Sequence, residues 1–465
     1  MLAVAVMDSV GLAGDVSQRV TGTARDDLSA FRSGWYGALT RRADALFEIG
    51  EALLCCEGAV ACPPRLSLTP VFRRGWGSVY AALARGRIDE DALRDLLVAH
   101  RPAHWPLVFA VDASTWARCD AETSPDRGFY YHPSRHSASQ PIVAGWSYQW
   151  IAQLGWEKDS WTAPLDVRRL HPREDTVAVT AAQVTALVTR LGSTGAVPLF
   201  VFDAGYDPIA LTVALAGVRV QLLVRIRGKR VFYRDPPARA AGALGRPRRH
   251  GTRFACDDPA TWGAPSDECS CEDDQYGRVQ VSAWAGLHPA LAGRGRWAEP
   301  SQPPIVAGTI IRVQVEHLPK PTRAVKTLWL WWAGPGAPDL DTCWRAYLRR
   351  FDLEHTFRFA KNTLGWTVPR MRTPEQGDRW TWLILCSLTQ LRLARELVVD
   401  RRLPWERRLD PTRLTPARVR RGFHGLRATL GTPAAPTKPS RAGPGRPKGS
   451  RSGPRTRHPA IKKAA

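Results

Sequence analysis

The chain has 465 residues, 44% hydrophobic and 23% charged, which is ordinary for a soluble protein and long enough for two or three domains with real cores. Its 66 Lys and Arg against 43 Asp and Glu give a net charge of +23, which favours polyanionic partners and fixes no fold. Nine cysteines without a CxxC pair argue against a disulfide framework or structural zinc, and no run approaches the roughly 18 apolar residues of a membrane helix.

The N-terminal MLAVAVMDSVGLAGDV lacks the basic start of a signal peptide, so a soluble protein of a reducing, intracellular compartment is expected. Residues 24–100 carry apolar side chains at three- and four-residue spacing, broken at Pro63-Pro64 and Gly86, and read as helices. Residues 1–104 are therefore expected to form a helical domain that either binds DNA or caps the next domain.

From residue 105 the period changes. LVFAVDAS (107–114) is a short apolar run ending at Asp112, and PLFVFDAGYD (198–207) is a second one ending at Asp203. Between them lie two further strands, 141–154 and 161–170, and an amphipathic helix, 174–192. A helix over 208–216 and a strand over 218–226 follow. Continuous apolar runs suit central strands covered on both faces. Residues 105–226 are the first part of an α/β core with a mixed sheet flanked by helices. Residues 227–340 read as a β-rich insertion, and 341–432 as the second part of the core, with one helix from about Asp341 to Leu364. Residues 433–465 carry nine Lys and Arg with no acidic residue and few apolar ones, so they read as a disordered basic tail.

Asp112 and Asp203, each at the end of an apolar strand, are placed to meet at the carboxyl edge of the sheet. Two carboxylates that close repel unless a cation neutralises them. In YLRRFDLEHTFRFAK (347–361), Tyr347, Arg350, Glu354 and Lys361 stand at offsets that fall within an arc of roughly 60° on a helix. Arg358 lies near the same stripe, and Asp352 points away from it, which makes Glu354 the better third carboxylate. The plain alternative is a solvated helix face with an Arg350–Glu354 ion pair.

Tyr347-x2-Arg350-x3-Glu354-x6-Lys361 matches the YREK signature of the IS4-like DDE transposases, and DAGY (203–206) resembles the second-Asp motif of the same group. The resemblance covers roughly residues 105–400 and is nearest the IS701 branch. It implies an RNase H-like fold in which Asp112, Asp203 and Glu354 hold two Mg2+ ions, with Mn2+ able to substitute. The metal pair would activate water or a 3′-OH and stabilise the leaving oxygen during phosphodiester cleavage and strand transfer. It further implies that Tyr347, Arg350 and Lys361, with Arg358 beside them, contact transposon-end DNA, and that an aromatic of the insertion stacks on a flipped base. Trp284, Trp297, Trp329, Trp331 and Trp332 are the candidates, most of them better placed for a core. Partners would be transposon ends and target DNA, with no membrane. The protein would work as a homodimer on DNA in the bacterial cytoplasm, associated with the nucleoid.

PGRPKGS (444–450) resembles an AT-hook, which would put Arg446 in a minor groove, although nonspecific phosphate attraction accounts for such a tail equally simply. Rival readings are a domesticated DNA-binding derivative, a stand-alone RNase H-like nuclease, and a phosphatase using Asp112 as nucleophile.

Overall fold

The structure is a computed structural model that describes residues 22–132, 140–193, 195–239, 244–298, 302–318, 327–438, 445, 447–451 and 453–462. Pro444 and Arg446 of the AT-hook-like stretch lie outside the described residues.

The N-terminal region holds helix α1 (22–37), β1 (Leu39–Arg41), α2 (Ala43–Cys55), α3 (Pro63–Leu66), α4 (Gly77–Arg85), β2 (Arg87–Ile88) and α5 (Glu90–Ala99). The α2 sequence, ADALFEIGEALLC, is buried continuously from Ala45 to Leu54, as a helix with apolar residues on every face must be. It packs against α4 and against the C-terminal helices α10 (Pro374–Leu393) and α11 (Pro416–Leu430). Its two buried acids are paired. Glu51 receives Arg32 at 2.6 Å and Arg427 at 2.8 Å, and Glu48 receives Arg73 at 2.7 Å. These helices therefore share one core with the sheet.

The sheet is built from β3 (Val108–Ala117), β4 (Gly128–Tyr131), β5 (Ile142–Leu154), β6 (Thr162–Leu170), β7 (Leu199–Phe202) and β8 (Gln221–Ile226). Helices α6 (Thr176–Leu191) and α7 (Pro208–Ala214) connect them, each opened by an aspartate cap, Asp175 and Asp207. A two-stranded sheet of β9 (Val231–Tyr233) and β10 (Arg253–Ala255) follows. Next come β11 (Asp267–Asp273), β12 (Gly277–Leu287), β13 (Gly308–Val315) and β14 (Thr327–Ala333), and then α8 (Leu340–Arg349) and α9 (Phe351–Asn362). The ten-stranded order is β11-β12-β13-β14-β8-β7-β3-β5-β4, with β6 sharing the outer edge of β5. β3, β7 and β8 run parallel and the other pairs are antiparallel. This is the mixed α/β sheet flanked by helices expected from the strand and helix pattern. The β-rich segment does not stand apart from it, because β14 pairs with β8 and carries β11 to β13 outward as a continuation of the same sheet.

Two expectations need correcting. The helix foreseen from Asp341 to Leu364 is two helices, α8 and α9, joined at Arg350, where Leu353 N–H bonds to the Arg350 carbonyl with three-residue spacing. The tail is also not free throughout. Ala435 N–H donates to the Asp44 carboxylate, and Ile461 N–H donates to the Arg127 carbonyl beside Gly128 of β4, so one stretch finds a side-chain partner and the other a backbone partner that composition does not reveal. Among the described residues no helix is long and apolar enough to cross a membrane.

Candidate active site

The parallel register of β3 and β7 pairs Val111 with Phe202, the last residue of β7. Asp112 and Asp203 are thus successive residues on adjacent strands at the level where β7 stops. Asp112 is not at a strand tip as foreseen. β3 continues to Ala117, because its outer half is held by β5, where Asp112 faces Trp150. The carboxylate is fixed by its neighbour, Ala113 N–H donating to its Oδ1 at 2.8 Å. Asp203 sits at the turn into α7 and accepts from Gly205 N–H at 2.8 Å. A Cβ on Gly205 would lie 3.0 Å from that same oxygen, which gives a physical reason for glycine third in DAGY.

Helix α9 brings the third acid. Arg350, at the junction of α8 and α9, donates to Asp112 Oδ2 at 3.0 Å and to Glu354 Oε1 at 3.3 Å. One guanidinium therefore joins the strand carboxylate to the helix carboxylate. The arginine is only 8% exposed, whereas the Glu354 side chain is 38% exposed, so the pair is buried at its guanidinium end and open at its carboxylate end. Tyr347 is buried with its ring 5.8 Å from the Arg350 guanidinium carbon. Burial pushes the Asp112 carboxyl up to about 6; Arg350 opposes this, while Asp203 and Glu354 add to it.

The remaining predicted residues lie elsewhere on the helix. Lys361 is over the Trp366 ring at 5.8 Å, and Arg358 is exposed. Asp352 is turned away from the carboxylates, as the helical spacing requires, and pairs with Arg349 at 2.9 Å. Burial pushes its carboxyl up to about 7, with Arg349 opposing and Asp159 adding. Of the insertion tryptophans, Trp284, Trp329, Trp331 and Trp332 are buried in the core, and Trp297 is half-buried.

Sequence reasoning missed the polar layer beneath the carboxylates. The Tyr206 hydroxyl donates to Gln149 Oε1 at 2.8 Å, Thr180 donates to the same oxygen at 3.1 Å, and Gln149 Nε2 donates to Gln183 at 2.9 Å. Burial, then Asp112 and Asp203, raise the Tyr206 phenol well above its ordinary value, so it stays a hydrogen-bond donor. A signal existed in the sequence. Gln149 lies between Tyr148 and Trp150 in a largely apolar central strand, and a fully buried amide must find partners.

Carboxylates are hard oxygen donors of the kind that Mg2+ takes, and a carboxyl that burial pushes up to about 6, with Asp203 and Glu354 adding to it, gains from a cation that neutralises the group. The donor set fits such an ion. In the arrangement described, no three His, Cys, Asp or Glu side chains among the described residues converge enough to hold one, and Arg350 supplies the positive charge between Asp112 and Glu354.

No curated protein gives a significant match to the chain. A family model described as DDE superfamily endonuclease matches residues 35–290, which include Asp112, Asp203 and the polar layer and end before Glu354. That match spans more than half of the sequence, and the chain belongs to the DDE superfamily of endonucleases.

Proposed function

We propose that the protein is a DDE transposase of the IS4-like group, nearest the IS701 branch, which cuts transposon-end DNA and joins it to a target. The observation that carries this reading is the contact of Arg350 with both Asp112 and Glu354, which links the acid of α9 to the aspartate of β3. Asp112, Asp203 and Glu354 would hold two Mg2+ ions, which when bound activate the attacking oxygen and stabilise the leaving one. The chain's own groups do the rest. Arg350 offers a planar fork to the phosphate at the cut, and Tyr347 offers a hydroxyl beside it. Arg358, exposed on α9, and Lys361 take the neighbouring backbone phosphates as cations. The Tyr206–Gln149–Gln183 layer holds the floor under Asp112 and Asp203 rigid. A homodimer on DNA in the bacterial cytoplasm completes the proposal.

The test is incubation with Mg2+ and a labelled duplex carrying the DNA that flanks the gene, scored for strand cleavage and for joining to a plasmid. Cleavage with joining is expected. Cleavage without joining would make the protein a stand-alone nuclease of the same superfamily. Binding without cleavage would make it a regulatory derivative.

A further inference from the structure

The segment between α10 and α11 carries a large aromatic that nothing in the fold uses. Trp405 is 78% exposed. The loop beneath it is nevertheless pinned. Glu406 accepts from Leu403 N–H at 2.8 Å and from Arg421 at 2.7 Å. Asp400 is held by buried Arg418, which also donates to the Arg407 carbonyl at 2.9 Å. The two acids flanking the tryptophan are thus consumed by α11. Arg401, Arg402, Arg407 and Arg408 are all exposed, and none has an acidic partner among the described residues.

A rigid loop that presents an indole between two arginine pairs has the two elements of a single-strand nucleic-acid platform. Cations track the phosphates, and an aromatic face stacks on a base. The base must be unpaired, because a duplex hides its ring faces and opening one step costs a few kcal/mol. We propose that Trp405, with Arg401, Arg402, Arg407 and Arg408, forms a binding site for unpaired nucleotides, the indole stacking on a base and the arginines gripping the flanking phosphates. The site rests on the reading of the protein as a DNA-processing enzyme. Its place in the reaction is to hold strand that has been opened or cut, apart from the carboxylates that do the chemistry.

The test uses the full chain and three probes: a single-stranded oligonucleotide, heparin as a polyanion without bases, and anionic phosphatidylserine vesicles. Removing the indole with Trp405→Ala should weaken oligonucleotide binding about tenfold, the effect of losing one stacked base. Heparin binding should be unchanged, and Trp405→Phe should restore most of the affinity. Replacing the four arginines with alanine should weaken both polyanions and flatten the salt dependence. Unchanged oligonucleotide binding by Trp405→Ala, or an equal loss on heparin, overturns the proposal. So does a Trp405-dependent affinity for vesicles that the oligonucleotide does not share. Trp405-dependent binding in a protein that cuts no DNA would sink the transposase reading and leave this site standing.

Discussion

Arg350 donates to Asp112 Oδ2 at 3.0 Å, so the guanidinium at the α8–α9 junction neutralises a carboxylate that burial drives towards protonation. Replacing it with an apolar side chain of similar length, Arg350→Met, leaves a buried carboxylate without its partner. We expect a loss of about 1–3 kcal/mol in urea unfolding at pH 8 with chelator present, the cost of an unsatisfied buried polar group. The loss should shrink at pH 5, where Asp112 takes up a proton, and shrink again in saturating Mg2+. Equal losses under all three conditions would show that Arg350 acts only by packing.

Asp352 gives a pH dependence of defined sign. Its folded value of about 7 lies above the ordinary value of 3.8, so between these the folded state binds more protons than the unfolded one. Stability contributed by the protonated form is complete below about pH 4 and is lost as pH rises through 7. Asp352→Asn should therefore stabilise the protein relative to wild type by an amount that grows from pH 4 and levels off near pH 8, reaching at least about 1 kcal/mol. Thermal unfolding across that range checks it. A variant less stable than wild type at pH 8 would mean that the ion pair with Arg349 outweighs the burial of Asp352.

The central strands, α6 and the two strand aspartates were legible because β3, β5 and β7 are apolar runs with clear ends, and α6 begins at Asp175 and stops at Gly192. The strand β11 was not, because DECSCED is mostly acidic. Cys269 and Cys271 turn inward while the charged side chains face solvent, and an edge strand needs no more than that. The full length of β3 was hidden for a related reason. Pairing with β5 carries it past Asp112 through residues whose composition reads as the start of a loop. Helical spacing correctly set Asp352 apart from Glu354. It could not show that Arg350 also reaches Asp112, since that contact spans 238 residues of sequence. Gln149 carried a signal that went unread, an amide in a strand where every neighbour argues for burial.

Glu51 tests whether the N-terminal helices are integral to the fold. It is fully buried between Arg32 and Arg427, so Glu51→Gln leaves two guanidinium groups without their charge partner. A loss of about 3–5 kcal/mol is expected, as when one partner of a buried pair is removed. A chemical-denaturation curve with a single transition, shifted as a whole, supports one cooperative unit. A new early transition with the second unchanged would instead make residues 22–99 a separate domain.

Gln149→Leu removes the acceptor of Tyr206 and Thr180 and the donor to Gln183 together. It should cost about 1–3 kcal/mol for the groups left unsatisfied. It should also lower cleavage more than DNA binding, because the floor beneath the two strand aspartates loosens. Equal effects on cleavage and binding would confine the layer to a structural role.

The most direct measurement compares Glu354→Gln with Asp352→Asn in Mg2+-dependent cleavage of a labelled duplex, alongside a gel-shift in Ca2+. The two acids are neighbours on α9, yet Arg350 reaches Glu354 whereas Arg349 holds Asp352 away from the strand aspartates. Glu354→Gln should bind the duplex and leave it uncut, and Asp352→Asn should cut it as wild type does. Normal cleavage by Glu354→Gln, with Asp352→Asn inactive, would contradict the assignment of Asp112, Asp203 and Glu354 as the cutting site.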